Sequence, residues 1–246
     1  MELAYFGQTD VGRKRDNNQD FFGTKQLSDN SILCTVCDGM GGANGGSTAS
    51  SLAVEIFTAG VQDGIAKCEN DVQVLCLMQS ALEKANAEIF RKSKEDSSLS
   101  GMGTTLVSCL CKNEKYYCIA VGDSRIYAIT SKGLKQLSHD HSYVQSLIDS
   151  GAITETEAKT HPNRNIITRA VGTSDLIEGD VFSIDEANTD GLLLCSDGLC
   201  GYVAHDDMEK ICLESKDAEM CAKKLVAKAN SESGADNITA VVVRKM

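Results

Sequence analysis

Four aspartates stand where a carboxylate can meet a ligand. Asp38 follows the apolar run ILCTVC and precedes GMGG, and Asp197 follows LLLCS and precedes Gly198. Asp20 in NNQD and Asp236 in GADNITAVVV are likewise set among small or amide residues beside β-rich runs. A carboxylate placed where a buried strand gives way to a glycine-permitted turn is presented at the rim of a sheet, where ligands bind. Oxygen donors, with only four histidines in the chain to compete, suit hard divalent cations. The DGMGG stretch would also bring backbone close to such an ion, so that the Gly39 carbonyl joins the Asp38 carboxylate. Taken alone DGMGG reads equally as an ordinary turn, and the three other acids tip the balance.

Rival chemistries fare less well. Cys34 and Cys37 form a C-x-x-C, but inside an expected strand residues three apart point to opposite faces, so two buried thiols fit better than a zinc or redox site. There is no G-x-S-x-G, P-loop or H-E-x-x-H, and Cys118 and Arg125 have six residues between them where a cysteine phosphatase needs five. His139 and His141 flank Asp140 and read as surface-turn residues; His161 and His205 have no evident partner. GDSRIY, from Gly122 to Tyr127, places an acid and an arginine in a tight turn, whose plain reading is a hairpin with a local ion pair.

The elements that must position these groups follow from periodicity. Strands are expected over residues 2–9, 31–37, 104–111, 116–121, 125–130, 192–195 and 238–244. Helices are expected over 47–62, with Ala49, Leu52, Ala53, Ile56 and Phe57 on one face, and over 72–90, with Leu75, Gln79, Leu82, Ala85 and Ile89. A third, over 217–231, carries Ala218, Cys221, Ala222, Leu225, Val226 and Ala229 on one stripe. Links as short as residues 112–115 exclude parallel crossovers, so the sheets should be antiparallel in an α+β layered domain. Residues 139–172 interrupt the pattern with two short helical signals, 142–150 and 154–159, the second opening on a capping box at Thr154 and Glu157 and followed by Pro162, the only proline.

The 246 residues contain one proline and no low-complexity stretch, which predicts a single domain over 1–246. A net charge of −11 disfavours nucleic acid and anionic membranes as partners. No apolar run is long enough to span a bilayer and the start lacks a signal pattern, so a soluble, cytoplasmic, monomeric protein is expected. Eleven cysteines, an odd number mostly at core-type positions such as Cys109, Cys118, Cys195 and Cys221, read as reduced.

The ordered series RDNNQD, DGMGG, GMGTT, VGDSR, SHDHS, ITRAVG, LLLCSDGL and DNITAVVV resembles the metal-dependent Ser/Thr protein phosphatases, the type 2C or PPM family, and most of all its compact bacterial members. The likeness runs from about Asp10 to Val243. It implies a four-layer αββα sandwich, two antiparallel β-sheets packed face to face and flanked by helices, with two Mn²⁺ or Mg²⁺ ions at one end. By motif, Asp38 would bridge the ions, Gly39 and Asp20 would serve one directly or through water, and Asp197 and Asp236 would hold the other. Asp123 would contribute to a third, weaker site, Arg15 would clamp the substrate phosphate, and residues 142–172 would form a flap beside the cleft. Gln19 and Met40 replace a glutamate and a histidine of the eukaryotic pattern, which leaves protonation of the leaving oxygen to a water on the metal. The implied activity is hydrolysis of phosphoserine and phosphothreonine in proteins, including a eukaryotic-like Ser/Thr kinase. A phosphatase of an anti-sigma-factor antagonist and a non-catalytic phosphoprotein-binding pseudophosphatase stand as alternatives.

Overall fold

The computed structural model describes residues 3–185, 187 and 189–245. Antiparallel pairing builds two sheets. The first holds β1 (Leu3–Asp10), β7 (Arg125–Thr130), β8 (Gly133–Gln136), β10 (Gly191–Cys195) and β11 (Ile238–Lys245), in the order β1-β11-β10-β7-β8. The second holds β2 (Asp20–Gln26), β3 (Ile32–Met40), β5 (Leu106–Lys112), β6 (Lys115–Val121) and β9 (Asp180–Asp185), in the order β2-β3-β5-β6-β9, with the two-residue β4 (Gly103–Thr104) on β3. The expected α+β layering is therefore present. The first expected strand begins at Glu2, which lies outside the described residues.

Strand alternation sorts side chains between layers. On β3, Ile32, Cys34 and Val36 join β10 and β11 residues such as Leu192 and Val241 between the sheets. Leu33 and Cys37 instead face α1 (Gly42–Gly64) and α2 (Asp71–Glu95), packing with Phe57 and Leu82. The two cysteines thus belong to different layers, as the spacing required. On the other side α6 (His205–Glu214) and α7 (Ala218–Glu232) cover the first sheet, and the six expected α7 residues are all buried there.

Several expectations need correction. α1 starts at Gly42, five residues before Ser47. It continues through glycines because a Cβ on Gly46 would lie 2.7 Å from the Gly39 carbonyl oxygen; only a glycine lets this turn sit on β3. The buried stripe of α2 holds Leu82, Ala85 and Ile89 as expected and extends to Val74 and Met78, but Leu75 is only partly buried, and Gln79 uses its amide to hold the Ile177 carbonyl and the Gly179 N–H. β2, β8 and β9 and helix α6 were absent from the expected set. All three strands lie at sheet edges, where one exposed side and polar residues blunt the apolar signal. The link at residues 112–115 is the hairpin expected, with Asn113 and Glu114 both at positive φ, as a two-residue turn between twisted strands demands.

Residues 139–172 hold α3 (Tyr143–Asp149), capped by Ser142, and α4 (Glu155–Ala158), whose Thr154–Glu157 capping box is present. Main-chain bonds from Tyr143 N–H to Ile166 and from Thr168 N–H to His141 tie the two ends of this excursion together.

Candidate functional site

Both sheets deliver acids to the same open end of the inter-sheet layer. Asp20 opens β2 and lies opposite Asp38 of β3 in the pairing register. Asp197 follows β10 and begins the one-turn α5 (Asp197–Cys200), while Asp236 stands two residues before β11. Asp38, Asp123, Asp197, Asp236, Gly39 and Arg15 line one cleft of about 450 Å³. Asp20 is not on its wall; it lies behind Asp38, buried, with Oδ2 accepting from Ser196 Oγ at 2.6 Å and Thr239 Oγ1 at 2.7 Å.

The glycines of the two Asp-Gly pairs act by close approach and not by special backbone angles. A Cβ on Gly39 would lie 2.0 Å from the Gly46 carbonyl oxygen, and one on Gly198 1.9 Å from that of Asn237. Neither has positive φ, and Gly39 lies within β3, so the expected turn after Asp38 begins only at Gly41 and Gly42.

GDSR departs from its plain reading. β6 and β7 belong to different sheets, so Gly122, Asp123 and Ser124 cross from one sheet to the other. Arg125 pairs with Asp140, through Nε at 2.9 Å to Oδ1 and Nη2 at 2.7 Å to Oδ2, and leaves Asp123 facing the cleft. His141 is buried, not on a surface turn: its Nδ1 accepts from the Gly122 N–H at 3.1 Å and its Nε2 lies 3.2 Å from Asp180. His139 pairs with Asp149 on the surface.

Sequence reasoning missed the scaffold of the site. Thr105 Oγ1 accepts from the Asp38 N–H and shares a hydrogen bond with Ser124, joining the two sheets' acid-bearing segments. Asn237 accepts from the Gln19 N–H and donates to the carbonyls of Val11 and Asn17, fixing the loop that carries Arg15. Asn237 directly follows Asp236 in DNIT, yet only the folded chain shows which distant backbone it serves. Gln19 and Met40 also line the cleft.

Electrostatics set the cleft apart. Burial, followed for Asp38 by the neighbouring Asp20, holds the Asp38 carboxyl well above the usual carboxylate range. Burial likewise pushes Asp20 and Asp123 up to about 7 and raises Asp197. Arg15 Nη2 donates to Asp236 Oδ2 at 2.8 Å, the one cation pairing with these acids among the described ion pairs. Asp20 Oδ1 and Asp197 Oδ1 are buried without a hydrogen-bond partner. Such oxygens are costly unless something positive meets them. Among the described residues no three acidic, histidine or cysteine side chains close on one point as a complete cage.

The chain is similar to known proteins over nearly its whole length. Residues 9–229 match the protein phosphatase 2C family. The chain is 36% identical over 238 residues to "Serine/threonine phosphatase stp" of Listeria monocytogenes serotype 4b, covering 97% of this chain and 94% of that protein. Its fold superposes with a TM-score of 0.92 on the crystal structure of Serine/threonine phosphatase Stp1 from Staphylococcus aureus, at 31% identity, covering 100% of this chain and 96% of the other. A second structure, the catalytic domain of the phosphatase PstP in complex with two manganese ions, matches at 30% identity and a TM-score of 0.85, covering 98% and 97%. The chain belongs to the protein phosphatase 2C family.

Proposed function

We propose that this chain is a protein serine/threonine phosphatase, a single catalytic domain that hydrolyses phosphoserine and phosphothreonine with a pair of divalent cations. The observation that carries the reading is the meeting of Asp38, Asp197 and Asp236 with Arg15 on one cleft wall. The unpartnered Oδ1 atoms of Asp20 and Asp197 and the all-oxygen donor set fit cations there. Asp38 would bridge two ions, with the Gly39 carbonyl and Asp20 serving one and Asp197 and Asp236 the other; Asp123 would help to hold a weaker third. When bound, Mn²⁺ or Mg²⁺ supplies a water acidic enough to attack at neutral pH and neutralises charge on the phosphoryl oxygens.

The protein's own groups orient and exclude. The planar fork of Arg15 presents paired N–H donors suited to two phosphoryl oxygens, and Asp236 holds that fork at the cleft mouth. Thr105 and Ser124 keep the Asp38 and Asp123 segments in mutual register. Among the described residues no cysteine lines the cleft, in keeping with direct attack by water and not by a thiolate.

Substrates are phosphorylated proteins, among them a Ser/Thr kinase whose action the enzyme reverses, and the flap at residues 142–172 helps to select them. The protein works as a cytoplasmic monomer; among the described residues no helix is long and apolar enough to cross a membrane. The retained acids and Arg15 favour catalysis over a binding-only role, and the GDSR segment and the flap favour the general type over a phosphatase of an anti-sigma-factor antagonist, in line with the likeness to proteins named serine/threonine phosphatase. The deciding assay is release of phosphate from phosphothreonine and phosphotyrosine peptides with Mn²⁺, Mg²⁺ or chelator. Metal-dependent turnover of phosphothreonine is expected, and turnover undiminished by exhaustive chelation would defeat the reading.

A further inference from the structure

The chain that leaves β8 brackets the crossing that carries Asp123. Ser138 Oγ accepts from the Ile126 N–H at 2.9 Å, Asp140 takes the Arg125 guanidinium, and His141 takes Gly122. His141 holds both polar groups of that glycine. Its N–H donates to the Gly122 carbonyl at 2.8 Å, and its Nδ1 accepts from the Gly122 N–H at 3.1 Å. Gly122 has a φ of 97°, and a Cβ there would lie 2.6 Å from Cγ2 of Thr105, the residue that holds the Asp38 N–H. Among the described residues no side-chain hydrogen bond aims the Asp123 carboxylate, so its direction comes from the backbone clamped on either side. His141 itself is buried and is not on the cleft wall.

The imidazole is fixed in turn. An Nδ1 that accepts carries no proton, which puts the ring proton on Nε2. Nε2 lies 3.2 Å from Asp180 Oδ2, a close contact short of an aligned hydrogen bond. Asp180 opens β9 and is held by Arg169 of the flap, Nη1 to Oδ1 at 2.8 Å, while the Thr168 N–H donates to the His141 carbonyl at 2.8 Å. We propose that His141 is a positioning residue for Asp123: by clamping Gly122 it aims the Asp123 carboxylate at the weaker cation site, touching neither ion nor substrate. The inference rests on the proposed function for the existence of that site. Partners that orient a metal-binding group are worth about tenfold to a hundredfold in affinity.

The test is calorimetric titration of the metal-free full chain with Mn²⁺, alongside thermal unfolding and phosphopeptide turnover as a function of Mn²⁺ concentration. In His141→Ala the weakest binding step should lose about tenfold in affinity while the tighter steps hold, and half-maximal turnover should need more Mn²⁺. Asp123→Asn should weaken the same step, and the double variant should lose no more than Asp123→Asn alone, because His141 acts through Asp123. General loosening of the fold would instead weaken every step and add to the Asp123→Asn loss. That outcome, unchanged Mn²⁺ binding in His141→Ala, or an unaltered chain with no weaker step would overturn the proposal. Should the alanine variant fail to fold, two others decide. Asparagine places an acceptor near the position of Nδ1 and glutamine near that of Nε2, so His141→Asn should keep the weak step and His141→Gln lose it; the reverse order, or no difference, counts against the proposal. Nitrogen NMR of the unaltered, metal-free chain should find the ring proton on Nε2, and a proton on Nδ1 would overturn the proposal whatever the variants do. An unaltered chain that binds Mn²⁺ without phosphopeptide turnover would count against the phosphatase reading, while the binding and NMR readouts still decide the role of His141.

Discussion

Asp20 and Asp38 face each other directly across the β2–β3 pairing, on the face that also carries Phe22 and Val36 into the inter-sheet layer. Opposed like charges destabilise a strand pair, and here burial removes much of the water that would weaken the repulsion. Both carboxyls are raised, Asp20 to about 7, with desolvation the first cause at each and the charge of Asp20 the second at Asp38.

Replacing Asp38 by asparagine keeps the shape and removes one of these charges. Phosphothreonine-peptide turnover should fall at least ~10²-fold, as when a group that stabilises transition-state charge is lost. The metal-free protein should gain up to ~1 kcal/mol from relief of the cross-strand repulsion. Parallel kinetics and chemical denaturation check both, and retained Mn²⁺-dependent turnover would remove Asp38 from the centre.

Arg15→Lys keeps the charge and loses the fork. One charge-assisted hydrogen bond of roughly 1.5–3 kcal/mol is at stake, so kcat/KM should drop about tenfold to a hundredfold. The loss should fall mainly on KM, because Arg15 holds the phosphate and does not attack it. Initial-rate kinetics over a range of peptide concentrations separate the two constants.

The pH dependence of stability has a definite sign. Asp20 and Asp123 titrate at about 7 in the fold, and Asp38 and Asp197 are also raised, whereas unfolded aspartates titrate near ~3.9. Between those values the folded, metal-free chain binds more protons than the unfolded chain, so its stability decreases as pH rises. His141, lowered by burial, acts the other way below about 6.5, one group against four. Metal-free protein should therefore melt at a higher temperature near pH 5.5 than near pH 7.5. The stabilisation by Mn²⁺ should be larger at the higher pH, because the ligands must lose their protons to bind. Thermal unfolding at both pH values with and without Mn²⁺ tests this, and a metal-free Tm that climbs with pH would contradict it.

Gly198→Ala probes the contact between the two halves of the site. Its Cβ would meet the Asn237 carbonyl oxygen at 1.9 Å, a backbone atom that cannot rotate away. Overpacking of this kind costs about 1–3 kcal/mol. Turnover should fall along with stability, since Asp197 and Asp236 move apart. A variant of unchanged Tm and activity would show that the two segments are less tightly apposed.

Much of this was legible in the residues themselves. The α7 stripe, the Thr154–Glu157 capping box, the hairpin at residues 112–115 and the opposite facing of Cys34 and Cys37 follow from local periodicity and turn chemistry, which act over a few residues. Edge strands such as β2 and β9 were not legible, because one open side leaves a weak apolar pattern. The GDSR segment misled as a hairpin, since two strands three residues apart in sequence look alike whether they pair or separate into different sheets.

The sequence by itself determined which side chains carry the chemistry and that they are oxygen donors beside buried strands, because residue type and short-range spacing depend on no distant contact. Only the tertiary structure decided that β2–β3 and β10–β11 bring those acids to the same end, that Asp20 stands behind Asp38 with its Oδ1 unpartnered, and that Asn237 fixes the loop of Arg15. Those relationships join residues as far apart as Asn17 and Asn237. They arise from two sheets burying their apolar faces against each other, a long-range event that no local pattern encodes.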